Sequence, residues 1–175
     1  MKRRPSASGA SSSASRGALE VTIRQARNAA FKQLVDAAPR FGIKVQKNTS
    51  HRLVTSDVAT VAVTAVSDYD PAKLDEGTNA MFIYFEGGRN RNASIPRGFY
   101  VIKAFSGHGE GKPYGLLLDE HGKSVAKLTA VLEQKQTGST LGVSGSIRPT
   151  GSNSVTICVN VEVNGQVYTA CITIQ

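Results

Sequence analysis

Few residues in this chain have both the type and the setting to do chemistry. Its only two cysteines are Cys158 and Cys171, on either side of Asn164-Gly165. Asn-Gly is the strongest short-range hairpin signal, because a type I′ turn needs positive φ at both central positions. With Val163 facing Gln166 across that turn, the register sets Cys158 opposite Cys171. Alternation from the turn makes them a non-hydrogen-bonded pair, with Cα atoms about 4.5 Å apart, at the short end of the disulfide range. A bridge is expected there, strained and more readily reduced than a structural one. The other reading is two free thiols under a second layer of protein.

The candidate metal ligands, or an acid–base pair, are His108 and Glu110 in Ser106-Gly107-His108-Gly109-Glu110-Gly111-Lys112, with His121 on a neighbouring turn as a third. Zinc needs three or four ligands held rigidly by the groups behind them. Two ligands among glycines do not meet that need, so no metal and no cofactor is expected. The residues 68–77 carry Asp68, Asp70, Asp75 and Glu76, but lack the alternate spacing and glycine of an EF-hand loop and read as a solvated acidic loop. Ser, His and Asp are present without a nucleophile elbow. The sequons at Asn48 and Asn92 are at the frequency chance supplies in a Ser/Thr-rich chain. An enzyme is therefore not expected.

The cations are more informative. The net charge is +8, and residues 1–47 hold ten Lys and Arg against Glu20 and Asp36, so the whole excess lies in the first quarter of the chain. Such asymmetry points to a polyanion-binding segment. Its candidate contacts are Lys2, Arg3, Arg4, Arg16, Arg24 and Arg27. Arg89, Arg91 and Arg97, in a Gly-flanked stretch over 87–98, are the one basic cluster of the remaining chain that would continue the surface. Their planar guanidinium forks suit phosphate.

These residues must be positioned by the following elements. Residues 1–17, MKRRPSASGASSSASRG, contain no large apolar side chain and read as a disordered basic arm. The arm lacks the apolar run of a Sec signal, while its Arg- and Ser-rich composition also suits an organellar transit peptide. Residues 18–39 predict an amphipathic helix. Leu19, Ile23, Ala26, Ala30, Leu34 and Ala37 form its stripe, Phe31 and Val35 lie to one side, and Pro39 and Gly42 end it. The helix should dock on a β domain. Residues 40–175 read as that domain, with candidate strands at 41–46, 59–66, 80–86, 98–105, 114–119, 124–132 and 140–147, and a closing hairpin over 154–175. In the hairpin Val155, Ile157, Val159, Val161 and Val163 share a core face with Tyr168, Ala170, Ile172 and Ile174. A second hairpin should turn at Glu120-His121-Gly122.

The predicted fold is mainly β, an antiparallel β-sandwich or barrel of about seven or eight strands with one N-terminal helix and a basic arm. No run is long and apolar enough for a transmembrane helix. The leading functional class is a non-enzymatic structural or assembly protein, a homo-oligomer whose arm binds nucleic acid or another polyanion without sequence preference while the β domain makes protein contacts. The layout, a basic Ser-rich arm ahead of a neutral β domain, is similar in general plan to that of many small viral coat proteins; it spans the whole chain and no family motif carries it. A released particle would also expose the cysteines to an oxidising exterior without a signal peptide. The alternatives are an exported or envelope-associated binding module for carbohydrate or protein, and a small metal-dependent enzyme using His108, Glu110 and His121.

Overall fold

The computed structural model describes residues 24–46, 51–54, 60–87, 97–109, 111–133, 142–149 and 155–174. The arm over residues 1–17 and the first residues of the expected helix lie outside them. Nine strands occur among the described residues: β1 (His51–Val54), β2 (Thr60–Val66), β3 (Thr78–Gly87), β4 (Gly98–Phe105), β5 (Tyr114–Leu118), β6 (Ser124–Glu133), β7 (Val143–Pro149), β8 (Val155–Val163) and β9 (Gln166–Ile174). Every pairing is antiparallel, in the order β1-β2-β3-β4-β5-β6-β9-β8-β7. The chain runs as a meander to β6, then crosses to the far edge and returns through β8 and β9, a Greek-key connection. Strand β6 is the corner: Ser124–Thr129 pairs with β5, and Ala130–Glu133 pairs with β9. The two ends of the order meet, with β7 packing against β1 and β2, so the sheet curls into a nearly closed barrel.

The expected mainly β, antiparallel architecture is present, as a barrel. Strand β1 is an addition, and residues 41–46 are a correction. These residues alternate apolar and polar like a strand, but they join no ladder of the sheet. Ala38–Phe41 form one 3-10 turn, closed by Gly42 at φ 67°, and the Ile43 N–H donates to the Ala38 carbonyl at 3.0 Å. Phe41, Ile43 and Val45 instead pack against the outside of the sheet.

The hairpin register is the one expected. Val163 faces Gln166 and Cys158 faces Cys171. Asn164 at φ 53° and Gly165 at φ 79° form the turn, whose left-handed conformation at both positions favours Asn and Gly. The expected core face is real: Val155, Ile157, Val159, Val161, Val163 and Ala170 are buried in the barrel interior with Met81, Ile83, Phe85, Ile102, Leu117 and Leu128. Met81 reaches across to β7, where its methyl group occupies the space a Cβ at Gly145 would need.

A second apolar cluster lies outside the barrel. On β3, Met81, Ile83 and Phe85 point inward, which sends Phe82 and Tyr84 outward; on β4, Phe99 and Val101 point outward beside them. Phe99 stacks on Phe82 at 5.8 Å and lies 4.8 Å from Tyr84. The helix α1 (residues 24–37) covers this patch with Ala26, Ala30, Leu34 and Ala37. Small side chains let its backbone approach closely enough for the rings below to fill the gap. Phe31, expected to one side, is half-buried against the same patch.

Ile157 and Leu34 are both 0 % exposed. Replacing either by Ala should cost about 2–5 kcal/mol in urea unfolding, whereas Ile172→Ala, at a half-buried position, should cost less. A loss at Ile157 below about 0.5 kcal/mol would mean that the hairpin does not carry the core. A pH dependence arises from two phenols. Burial, reinforced by Glu162, pushes Tyr69 up to about 12. Burial, with Asp119 and Glu120 adding to it, does the same for Tyr100. Both folded-state values exceed the ordinary 10.0, so their contribution to stability is present in full below pH 10 and is lost as pH rises towards 12. Phenolate absorbance should therefore contain a late phase that Tyr69→Phe and Tyr100→Phe each diminish. A late phase unchanged in both variants, or no late phase at all, would contradict the assignment.

Candidate functional site

Among the described residues, the stretch richest in unbalanced cations is the helix and the short segment after it. With its alanine stripe against the sheet, α1 turns Arg24, Arg27 and Lys32 to solvent, and Arg40 and Lys44 beyond it are also exposed. Asp36 is the only acid in residues 24–46. It pairs with Lys32 at 2.7 Å, one helical turn away. Five cations and one anion thus lie on a single segment. The Arg40 guanidinium sits 5.6 Å from the rings of both Phe41 and Phe99. Arg97 is exposed two residues before Phe99, so Arg40 carries the helical surface towards the start of β4, which Arg97 precedes. Lys2, Arg3, Arg4, Arg16, Arg89 and Arg91 lie outside the described residues.

The proposed metal ligands do not come together. His108 lies in the loop joining β4 to β5, next to the Phe105–Tyr114 pair; His121 lies in the turn joining β5 to β6, beyond the Val101–Leu118 pair. Five residues of β5 separate them, about 15 Å of strand. Glu110 falls outside the described residues. Among the described residues no group of three or more His, Cys, Asp or Glu could hold a metal ion. The His121 turn is organised by Asp119, whose Oδ1 accepts from the His121 and Lys123 N–H groups, both at 2.9 Å. The bond from Lys123 is the largest cause holding the Asp119 carboxyl below its ordinary value; desolvation opposes it, and the bond from His121 adds to the lowering.

The acidic loop is likewise used locally. Asp70 caps the 3-10 turn Pro71–Lys73, accepting from the Ala72 N–H at 3.0 Å. Asp75 accepts from the Ser106 hydroxyl. Lys73 and Lys103 share the shallow depression beside Asp68 and Asp70, a poor setting for a divalent cation. Ser106, Asp75 and His108 are neighbours without forming a catalytic triad. The His108 contact to Ser106 Oγ, at 3.4 Å, comes from the backbone N–H, so no imidazole base is set against the hydroxyl.

A cleft of about 330 Å³ opens where this loop meets the β8–β9 turn, with Asp75, His108, Lys112, Asn164, Gln166 and Tyr168 in its lining. Its glycine-rich wall is held at several points. The Ser106 N–H donates to Leu74 O at 2.8 Å, and the Gly111 N–H donates to Gly107 O at 3.1 Å. Gly107, at φ 74°, leaves no space for a Cβ against the Lys112 carbonyl. Sequence reasoning found the loop but not the cleft, because its other wall comes from residues more than fifty positions away and neither half carries a local motif.

On the outer face of β7, β8 and β9 the cysteines form a disulfide, with Cα atoms 4.1 Å apart. Around it, Thr156 bonds Thr173 at 2.8 Å, Thr169 donates to Asn160, and Asn160 donates to Ser144 at 3.3 Å. These bonds cross the strands in register and leave an outer face of short, largely uncharged side chains. Comparison with known proteins returns no matching family model, no matching curated protein and no matching solved structure.

Proposed function

We propose that the protein is a non-enzymatic structural or assembly protein whose basic N-terminal segment holds nucleic acid or another polyanion, while the β domain makes protein contacts. One observation carries this reading: the cationic helix is packed onto the barrel through a buried apolar interface, with its Arg and Lys side chains turned outward. A solvated tail with incidental charge would need no such anchorage. The arm preceding the helix adds Lys2, Arg3, Arg4 and Arg16 to the same segment. Cations of the arm and of the anchored helix together suit a polyanion read by charge rather than by base sequence. On the outer face of β7–β9 the accessible Ser144, Ser146, Asn160, Thr169 and Thr173, with Arg148 and Glu162 as the charges, offer a surface for contacts between copies.

The test is binding to a generic single-stranded oligonucleotide across a salt series. It should compare the full chain, a chain starting at Gly17, and an Arg24→Ala/Arg27→Ala/Arg40→Ala variant whose helix content is checked by circular dichroism. Removing one phosphate-neutralising cation should lower the log–log salt slope by about 0.7, so the triple variant should reduce it by about 2. Removing the arm should weaken binding further. Absence of binding at low salt, or the same slope in all three proteins, would overturn the proposal.

A further inference from the structure

We propose that the cleft between the glycine-rich β4–β5 loop and the β8–β9 turn is a binding site for a neutral, hydroxyl-rich ligand, the terminal sugar of a glycan. This site is separate from the cationic helix and does not depend on the polyanion reading.

Several hydrogen-bonding groups of the cleft lining have no partner among the described residues. Asp75 spends one carboxylate oxygen on the Ser106 hydroxyl, and Gln166 spends its Oε1 on the Tyr168 hydroxyl at 3.2 Å. Among the described residues, the other Asp75 oxygen, the His108 ring, the Lys112 ammonium, the Asn164 amide and Gln166 Nε2 have no protein partner. A carboxylate only accepts, an ammonium only donates, and an amide does both. One common ligand group satisfies such a mixed set from neighbouring atoms: the hydroxyl, which donates and accepts at once. Vicinal hydroxyls on a ring present it repeatedly at short spacing.

Charge decides against the alternatives. Among the described lining residues Asp75 and Lys112 are of opposite sign, so the carboxylate disfavours a phosphate or sulfate and the ammonium disfavours a cation. The half-buried Tyr168 and the buried Val163 give the cleft an apolar side, which suits the C–H face of a sugar ring. The volume, about 330 Å³, is at the small end of ligand sites, about 300–1,000 Å³. The wall is also set before binding. The Ser106 bonds to Leu74 and Asp75, together with the Gly107–Gly111 closure, hold the loop, and the type I′ turn holds Asn164, so little ordering cost is left for the ligand to offset.

The experiment is an amide chemical-shift titration of the full chain with lactose, maltose and N,N′-diacetylchitobiose, and separately with a sulfated heparin disaccharide. At least one neutral sugar should give saturable shifts confined to residues 106–112 and 164–168, with an affinity independent of salt. Gln166→Ala and Lys112→Ala replace exposed side chains; each should weaken that sugar by about tenfold, or about 1.4 kcal/mol, with an unchanged melting temperature. No saturable shift at this cleft up to about 20 mM of any neutral sugar, equal affinity in both variants, or preference for the sulfated disaccharide here would overturn the proposal. Salt-dependent oligonucleotide binding through the helix is a separate readout, so either proposal can fail alone.

Discussion

Strands β3 and β4 are apolar on both faces, and the arrangement of the rest of the molecule answers to that constraint. Their inward side chains, Ile83, Phe85, Tyr100 and Ile102, fill the barrel, while Phe82, Phe99, Tyr84 and Val101 would face water if nothing lay over them. An antiparallel sheet ordinarily leaves one face solvated. Here the N-terminal helix takes that face. Its alanines admit a close approach, and the aromatic rings below supply the bulk that the helix lacks. The basic helix is thereby held to the side of the barrel.

Closure of the sheet sets the remaining geography. Because β6 serves two ladders and the chain crosses to β7 before returning, the β8–β9 turn is brought to the same end of the barrel as the β4–β5 loop. The β5–β6 turn and the start of β4 lie at the other end, where Gly98 approaches Glu120. Cations therefore dominate a lateral surface, whereas charge of both signs meets at one end. That separation also keeps His108 and His121 at opposite ends of β5.

The disulfide joins strands that are already paired along nine register positions. Its loop is short, with the cysteines 13 positions apart, and the ladder itself already restricts the same segment once folded. The entropy argument for cross-links therefore gives it a modest part. Around it the Ser, Thr and Asn bonds spend polar capacity within the sheet, so this face reaches solvent with few unpaired groups and few charges.

What the sequence determined by itself was whatever depends on neighbours in the chain. Asn164-Gly165 set the hairpin register and with it the Cys158–Cys171 pairing, because period-two alternation counted from a two-residue turn leaves no freedom. The spacing of Ala26, Ala30, Leu34 and Ala37 marked the helical face that docks. The excess of Lys and Arg over residues 1–47 was legible as charge alone. Residues 41–46 misled for an instructive reason: alternation reports a buried side, and a segment lying on the outside of a sheet buries one side without joining a ladder. Only the tertiary structure decided which distant segments meet. The Greek-key crossing, the outward aromatic patch that receives the helix, the separation of His108 from His121 and the cleft joining Ser106–Lys112 to Asn164–Tyr168 all depend on strand order. Strand order depends on how the whole apolar surface closes, and no local pattern carries that information.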